Sequence, residues 1–399
     1  MRAVVQAVES GVAAFRRKLS AGELGSLPVV LVLAVVWITF QSLNENFLSP
    51  RNLSNLSVDI VGTGLIAVGI VFVLLLGELD LSVGSISGLA AAVFAVLNVN
   101  NGVPEWLALI VAVLAGTVAG TVQGYSIART RVPAFVVTLA GLLTWNGLML
   151  AVLGDSGTVN LDEEGLIAKL TSYYFTDDAV AYALAALAAG AVFLTLDRDR
   201  RRRRAVGMPH RSLRAIVVRS VGLAVIAFTV AYLLNRFQGL PLALLIFLVV
   251  VAGLDVMLRR TRYGRRIYAL GGSVEAARRA SLSVTGVQTA VLAVSGTMAA
   301  IGGLFLASRI TSVSQSSGSG VLLVNAIAAA VIGGTSLFGG RGTTWSAVLG
   351  MLVIQSIASG MAITDTPPAV QFVITGGVLF AAVVIDSLSR RSQEAHGRA

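Results

Sequence analysis

Two carboxylates two residues apart, Glu78 and Asp80, stand in the stretch Gly77-Glu78-Leu79-Asp80-Leu81-Ser82-Val83-Gly84-Ser85, between two long apolar runs. Paired carboxylates can serve as general acid and base, as in glycoside hydrolysis, but that chemistry needs a water-accessible cleft and a positioned substrate. No nucleophile–base or metal constellation accompanies them elsewhere in the sequence. Between apolar runs the same residues make a helix break. Asp80 or Ser82 can cap the helix that follows, and the unwound backbone can bond water or a polyhydroxylated solute.

A second Gly-rich break runs from Asn325 to Thr343 and contains Thr335, Ser336 and Arg341. It lacks the pattern G-x-x-x-x-G-K-S/T, and the only lysines in the chain, Lys18 and Lys169, do not follow a glycine. Nucleotide hydrolysis by this chain is therefore not expected; many of its glycines suit close helix packing instead. The two breaks share a weak likeness, LLLGELDLSVGSISG against AVIGGTSLFGGRGTTWSAVLG, which suggests an internal repeat of the kind common in transporters. A third stretch, 259–283, is basic and non-spanning. In it Gly271-Gly272 is expected to break the chain and Ser273 to cap a short helix from about Val274 to Ser281. Glu275 falls in the first turn and Arg278 and Arg279 near the end, as the helix dipole favours; Ala276, Ala277 and Ala280 leave a small, smooth face for close approach.

These residues must be positioned by membrane-spanning helices. Hydrophobic residues make up 56% of the 399 and charged residues 13%, with a mean hydropathy of +0.84; a soluble domain carries about 25% charge. A bilayer core about 30 Å thick needs about 20 apolar residues per helix, and about twelve runs approach that length: 27–43, 57–77, 82–99, 105–127, 133–153, 178–196, 212–234, 239–258, 285–307, 321–338, 344–361 and 368–387. The expected fold is an all-α polytopic integral membrane protein with about 10–12 transmembrane helices, broken or re-entrant near 77–85 and 333–342. If the spans alternate from a cytoplasmic N-terminus, only four of the 30 Lys and Arg residues, Arg51, Lys169, Arg236 and Arg309, fall outside. Both termini are then cytoplasmic by the positive-inside rule.

The organisation expected is a cytoplasmic segment 1–26, a permease domain 27–388 and a tail 389–399. The basic cytoplasmic run 197–211 reads as a topology anchor, with an anionic-lipid or nucleic-acid patch as the alternative. The polar stretch Arg309–Gly320 reads as a flexible outer loop. The absence of cysteine excludes disulfides, iron–sulfur clusters and thiol catalysis. His210 and His396 lie in separate basic polar segments, which argues against a histidine metal site.

Four blocks in this order, GELDLSVGS (77–85), VPAFVVTLAGLLTWNG (132–147), YGRRIYALGGSVEAARRA (263–280) and NAIAAAVIGGTSLFGGRGT (325–343), resemble the permease subunits of bacterial ABC importers for monosaccharides, of the ribose/xylose type. The GELD glutamate, the YGRRIYALGG–EAARRA block and VIDS (384–387) look most like the D-xylose branch. The resemblance implies an inner-membrane protein that imports sugar from a periplasmic sugar-binding protein, driven by a cytoplasmic ATP-binding subunit. The chain would bind no cofactor, ATP being used by the partner; it would pair with a second permease copy amid membrane lipid and bind no nucleic acid.

The segment 271–279 looks like the family's coupling helix, with Gly271, Gly272, Ser273, Glu275, Ala276, Ala277, Arg278 and Arg279 as the contact set. A neutral polyol needs a path of hydroxyls, amides and carbonyls; Ser82, Ser85, Asn325, Thr335 and Ser336 are the candidates, with Glu78 and Asp80 bonding sugar hydroxyls or fixing the break. Two positions depart from the family. Leu322-Leu323-Val324-Asn325 stands where an acidic Glu-Leu-Asp arrangement is common, and Asn146 where a basic residue is common. The alternative reading is an ion-coupled secondary sugar transporter, which generally needs titratable groups at mid-membrane.

Overall fold

The computed structural model describes residues 27–130 and 132–395. The segment expected at 1–26 lies outside the described residues, as do 396–399. In chain order the first apolar helices are α1 (Leu27–Leu43), α2 (Pro50–Leu75), α3 (Val83–Ala95), α4 (Glu105–Thr130) and α5 (Ala134–Leu153). Short elements follow: β1 (Thr158–Asn160), α6 (Leu166–Ser172) and β2 (Tyr174–Phe175). Then come α7 (Asp178–Ala205), α8 (Leu213–Asn235), β3 (Leu240–Pro241), α9 (Leu242–Arg260), α10 (Arg262–Gly272) and α11 (Val274–Arg279). The chain closes with α12 (Val284–Ile310), β4 (Ser312–Ser314), α13 (Gly320–Ile332), α14 (Thr344–Ile363) and α15 (Pro368–Ala395).

Among the described residues, nine helices are long and apolar enough to cross a membrane. One of them is α3, prolonged by a π-helical turn at Val96–Asn100. Helices α1, α13 and the apolar part of α15 are shorter. At about 1.5 Å per residue the 13 residues of α13 reach about 20 Å, short of a full crossing. Local chemistry sets the ends. Ser49 Oγ accepts from the Asn52 N–H ahead of Pro50, and Asp177, Ser212, Thr261, Ser273 and Ser283 cap α7, α8, α10, α11 and α12 in the same way.

Four expectations need correction. Helix α7 continues through the basic run as far as Ala205, because Asp197 pairs with Arg200 and Arg201, and Asp199 with Arg203, at helical spacings. Helix α15 likewise runs into the expected tail, to Ala395. Gly271-Gly272 is not a break but the last turn of α10, a helix not expected from the sequence; the interruption falls one residue later, at the extended Ser273. The polar stretch after Arg309 is also tied down, since β4 pairs antiparallel with β1.

The core is built on α2, which is almost wholly buried against α12, α13 and α14. Helices α4 and α12 pack backbone to backbone. Gly116, Gly120 and Gly124 recur every fourth residue on α4 and face α12. A Cβ on Gly120 would meet Leu292 O at 2.2 Å, and one on Gly296 would meet Gly116 O at 2.2 Å. Small residues let two backbones touch where lipid offers no hydrophobic drive for association. At the periphery α7 and α8 pack mainly on each other, with Tyr182 stacked on Phe228, and present Leu187, Val218, Val225 and Ile226 outward.

The connections sort to two ends of the bundle. At one, β1 pairs with β4 and β2 with β3, gathering 154–177, 236–241 and 311–319. At the other, Gly340 N–H donates to Leu75 O at 2.9 Å and Tyr268 Oη to Gly342 O at 2.8 Å, gathering 76–82, 261–283 and 333–343. Gly296→Val should lower the unfolding midpoint in detergent, by about 1–3 kcal/mol of stability or more, whereas Gly222→Val, a glycine with no atom within 4 Å, should leave it nearly unchanged.

Candidate functional site

Both breaks end their incoming helix with the same hydrogen-bond pattern. After α2, Gly77 turns with φ +76°; its N–H donates to Leu74 O at 2.8 Å and the Glu78 N–H to Val73 O at 3.3 Å. After α13, Gly334 turns with φ +103°; its N–H donates to Val331 O at 2.9 Å and the Thr335 N–H to Ala330 O at 3.0 Å. Each is a paired 6→1 and 5→2 closure that satisfies the last carbonyls of the helix. The same closure also ends α7, at Gly207 and Met208, and α11, at Ser281 and Leu282.

The first break is cross-braced by three helices. Asp80 is 1% exposed and accepts from Ser82 N–H at 3.0 Å, Ser82 Oγ at 2.6 Å and Ser295 Oγ of α12 at 2.9 Å. Ser82 therefore opens α3 without its side chain capping it; the hydroxyl is held by Asp80. Ser82 Oγ also lies 2.9 Å from the side-chain amide of Gln123 on α4. One hydroxyl proton cannot serve two oxygens, so Gln123 suits this contact with its NH2 turned toward Ser82. Gln288 of α12 donates to Glu78 Oε1 at 2.6 Å, and Thr138 of α5 to Leu79 O at 3.3 Å. Gln123, Thr138, Gln288 and Ser295 were not singled out from the sequence. Their signal was available as amides and hydroxyls within apolar runs, which need partners in a membrane.

Around this brace several polar atoms are buried without a hydrogen-bond partner: Glu78 Oε2, the second amide position of Gln123, Trp145 Nε1 and Thr289 Oγ1. The second amide position of Gln123 and the indole nitrogen of Trp145 lie 1.7 and 3.0 Å from the point where a Gly141 Cβ would sit. A buried donor or acceptor left without a partner is costly, which marks these four residues for attention.

The second break holds the remaining candidates. Ser336 Oγ donates to Asp386 Oδ2 of α15 at 3.1 Å, and the Leu337 N–H to the same oxygen at 3.4 Å. Thr335 is buried with its hydroxyl unpartnered. Asn325 is half-buried on α13, and Ser85 is buried on α3 one turn beyond the first break. The two breaks touch through backbone, since a Cβ on Gly339 would meet the Gly77 N at 2.9 Å.

The segment 262–279 joins the breaks. Helix α10 is amphipathic: Gly264, Ile267 and Leu270 are buried while Arg262, Arg265 and Arg266 are exposed, the 3.6-residue period that marks a surface helix. Burial pushes the Tyr263 phenol up to about 12; burial also raises Tyr268, opposed by the nearby Arg259. A Cβ on Gly271 would lie 1.8 Å from Leu75 O and 2.9 Å from Gly340 N. The last turn of α10 thus touches both breaks. Helix α11 follows, with Ser273 Oγ accepting from Ala276 N–H at 3.2 Å. Ala277 faces inward, whereas Glu275 and Arg279, 3.9 Å apart, are 84% exposed. Gly272, Ala276 and Arg278 are exposed with them, and Gly271 is half-buried.

At the opposite end is a polar cavity of about 520 Å³ whose walls include Arg51, Asn55, Glu163, Tyr174, Gln238 and Arg309. Arg309 is neutralised by Asp59 at 2.8 Å, and Arg236 lies over the Tyr232 ring at 5.2 Å. Nothing in the sequence order announces this cavity, which four distant segments assemble.

Residues 52–383 match the family described as branched-chain amino acid transport system / permease component. The xylose transport system permease protein of Escherichia coli K12 is 37% identical over 363 residues, covering 91% of this chain and 90% of that protein. The Haemophilus influenzae xylose transport system permease protein is 34% identical, covering 94% and 99%. The Bacillus subtilis ribose import permease protein is 30% identical, covering 92% and 94%. No solved structure matches. Ser295→Ala, which takes one of three hydrogen bonds from the buried Asp80 carboxyl, should cost about 1–3 kcal/mol in detergent unfolding, and Asp80→Ala should cost more, because it strands Ser82 and Ser295 together.

Proposed function

Because the chain belongs to the family of branched-chain amino acid transport system / permease components, we propose that it is the membrane-spanning subunit of an ATP-driven importer that carries xylose across the inner membrane. The family description is broad. Likeness along 91% and 94% of the chain to two xylose permeases supports a pentose rather than an amino acid as cargo. The chemistry around the first break agrees, since neutral donors and acceptors suit a sugar.

Energy comes from a separate cytoplasmic ATP-binding subunit and delivery from a periplasmic sugar-binding protein, with two permease copies flanking the path. The end that carries α10 and α11 is the cytoplasmic one, and both termini lie on that side. Glu78, Asp80, Ser82, Ser85, Asn325, Thr335 and Ser336 border the route of the solute or hold its walls. Asp80 and Ser82 do the holding, as their hydrogen bonds are already engaged.

One observation carries the mechanism: the last turn of α10 lies in backbone contact with both breaks, and α11 projects from it into solvent. A partner that grips Glu275, Ala276, Arg278 and Arg279 moves α11, and Ala277 with Gly271 passes that displacement to Leu75 and Gly340. Both breaks then shift together, the kind of discrete rearrangement by which small movements open one side and close the other.

Proteoliposomes holding the chain with its ATP-binding subunit, supplied with the binding protein, should take up labelled xylose only when ATP is present. Uptake without the ATP-binding subunit that collapses with a proton or sodium gradient would establish the ion-coupled carrier instead. Glu275→Arg should abolish ATP-driven uptake while the protein inserts at its normal level; unchanged uptake would show that α11 is not the point of attachment.

A further inference from the structure

The outward-facing pair α7–α8 ends in a concentration of positive charge that the transport mechanism does not use. Arg198 and Arg200 to Arg204 crowd the last turns of α7, and Arg211, Arg214 and Arg219 follow on or just before α8. Asp197 engages Arg200 at 3.6 Å and Arg201 at 2.6 Å, and Asp199 engages Arg203 at 3.2 Å. Two acids offset only part of this charge. Between the helix ends lies a cavity of about 280 Å³ lined by Leu196, Arg200, Arg203, Pro209, His210 and Arg211, together with the ion-paired Asp199.

Two features set this cavity apart from a solvated basic face. The Arg200 side chain is only 22% exposed, and its Nε is buried without a hydrogen-bond partner. A guanidinium N–H left unpaired beside a cavity lacks an acceptor oxygen. The cavity also sits where the apolar part of a membrane-crossing helix gives way to charge, the depth of lipid headgroups. Directly along the same two helices Leu187, Leu194, Val217, Val218 and Val221 are exposed, an apolar strip suited to acyl chains.

We propose that this cavity seats the phosphate of an anionic phospholipid. Arg200, Arg203 and Arg211 donate to the phosphate oxygens, and the acyl chains run along the apolar strip of α7 and α8. Arginine forks match phosphate geometry, and basic pockets beside membrane helices select acidic headgroups. The occupant is a lipid rather than a free anion because charge and apolar strip are continuous. Bound there, it would tie the end of α7 to the start of α8.

The test uses the full chain in dodecyl maltoside, with thermal unfolding followed as phosphatidylglycerol, phosphatidylcholine or inorganic phosphate is added. Phosphatidylglycerol should raise the midpoint of the wild type and the other two should not. The variant R200Q/R203Q/R211Q should require roughly tenfold more phosphatidylglycerol or more for the same rise. It keeps Arg198, Arg201, Arg202, Arg204, Arg214 and Arg219, so its topology is preserved. An equal response to phosphatidylcholine, an equal rise with phosphate alone, or an unchanged response of the variant would each overturn the proposal. Should the triple variant not fold, Arg200→Gln analysed by native mass spectrometry decides: loss of co-purified phosphatidylglycerol supports the site, and retention at the wild-type level overturns it.

Discussion

A helix interrupted inside an apolar slab must find a partner for every backbone group that the interruption frees, because the surroundings supply none. This chain interrupts itself twice and meets the demand in the same way each time. Glycine at φ +76° and at φ +103° closes α2 and α13, and the two loops then lean on one another and on the end of α10. Leu75 O takes its hydrogen from Gly340 rather than from water. Side chains at Gly77, Gly339 or Gly271 would force these backbones apart, so the meeting point is built without them.

Around that point the polar brace does a second job. Asp80, engaged by Ser82 and Ser295, pins the first break to α12, while Gln288 and Thr138 fix the residues on either side. The same α12 is locked to α4 through reciprocal glycine contacts. The break is therefore a shaped, rigid feature of the core rather than a slack connection. The exposed α11, by contrast, turns only Ala277 inward.

Much of this was legible in the residues. Apolar runs near the length of a bilayer became helices. The breaks at Gly77 and Gly333-Gly334 and the Ser273 cap were readable because glycine and serine act locally. The helix α10 was missed although Ile267 and Leu270 repeat at helical spacing, because the arginines between them drew the reading toward a loop. Gly271 misled for a related reason: glycine marks a turn or a close approach, and only the position of Leu75 and Gly340, both far away in sequence, decides which. The partners of Asp80 and the walls of the cavity near Arg51 come from separate helices and loops, a juxtaposition that no local pattern encodes.

The two short strand pairings at the far end carry a mechanical implication. Through β1 with β4 and β2 with β3, the loop after α5 is stitched to those before α9 and after α12, so the ends of these helices form one plate. Prising them apart would sacrifice main-chain hydrogen bonds for no compensating gain. Any movement at that end therefore carries the ends of these helices together, as a single block.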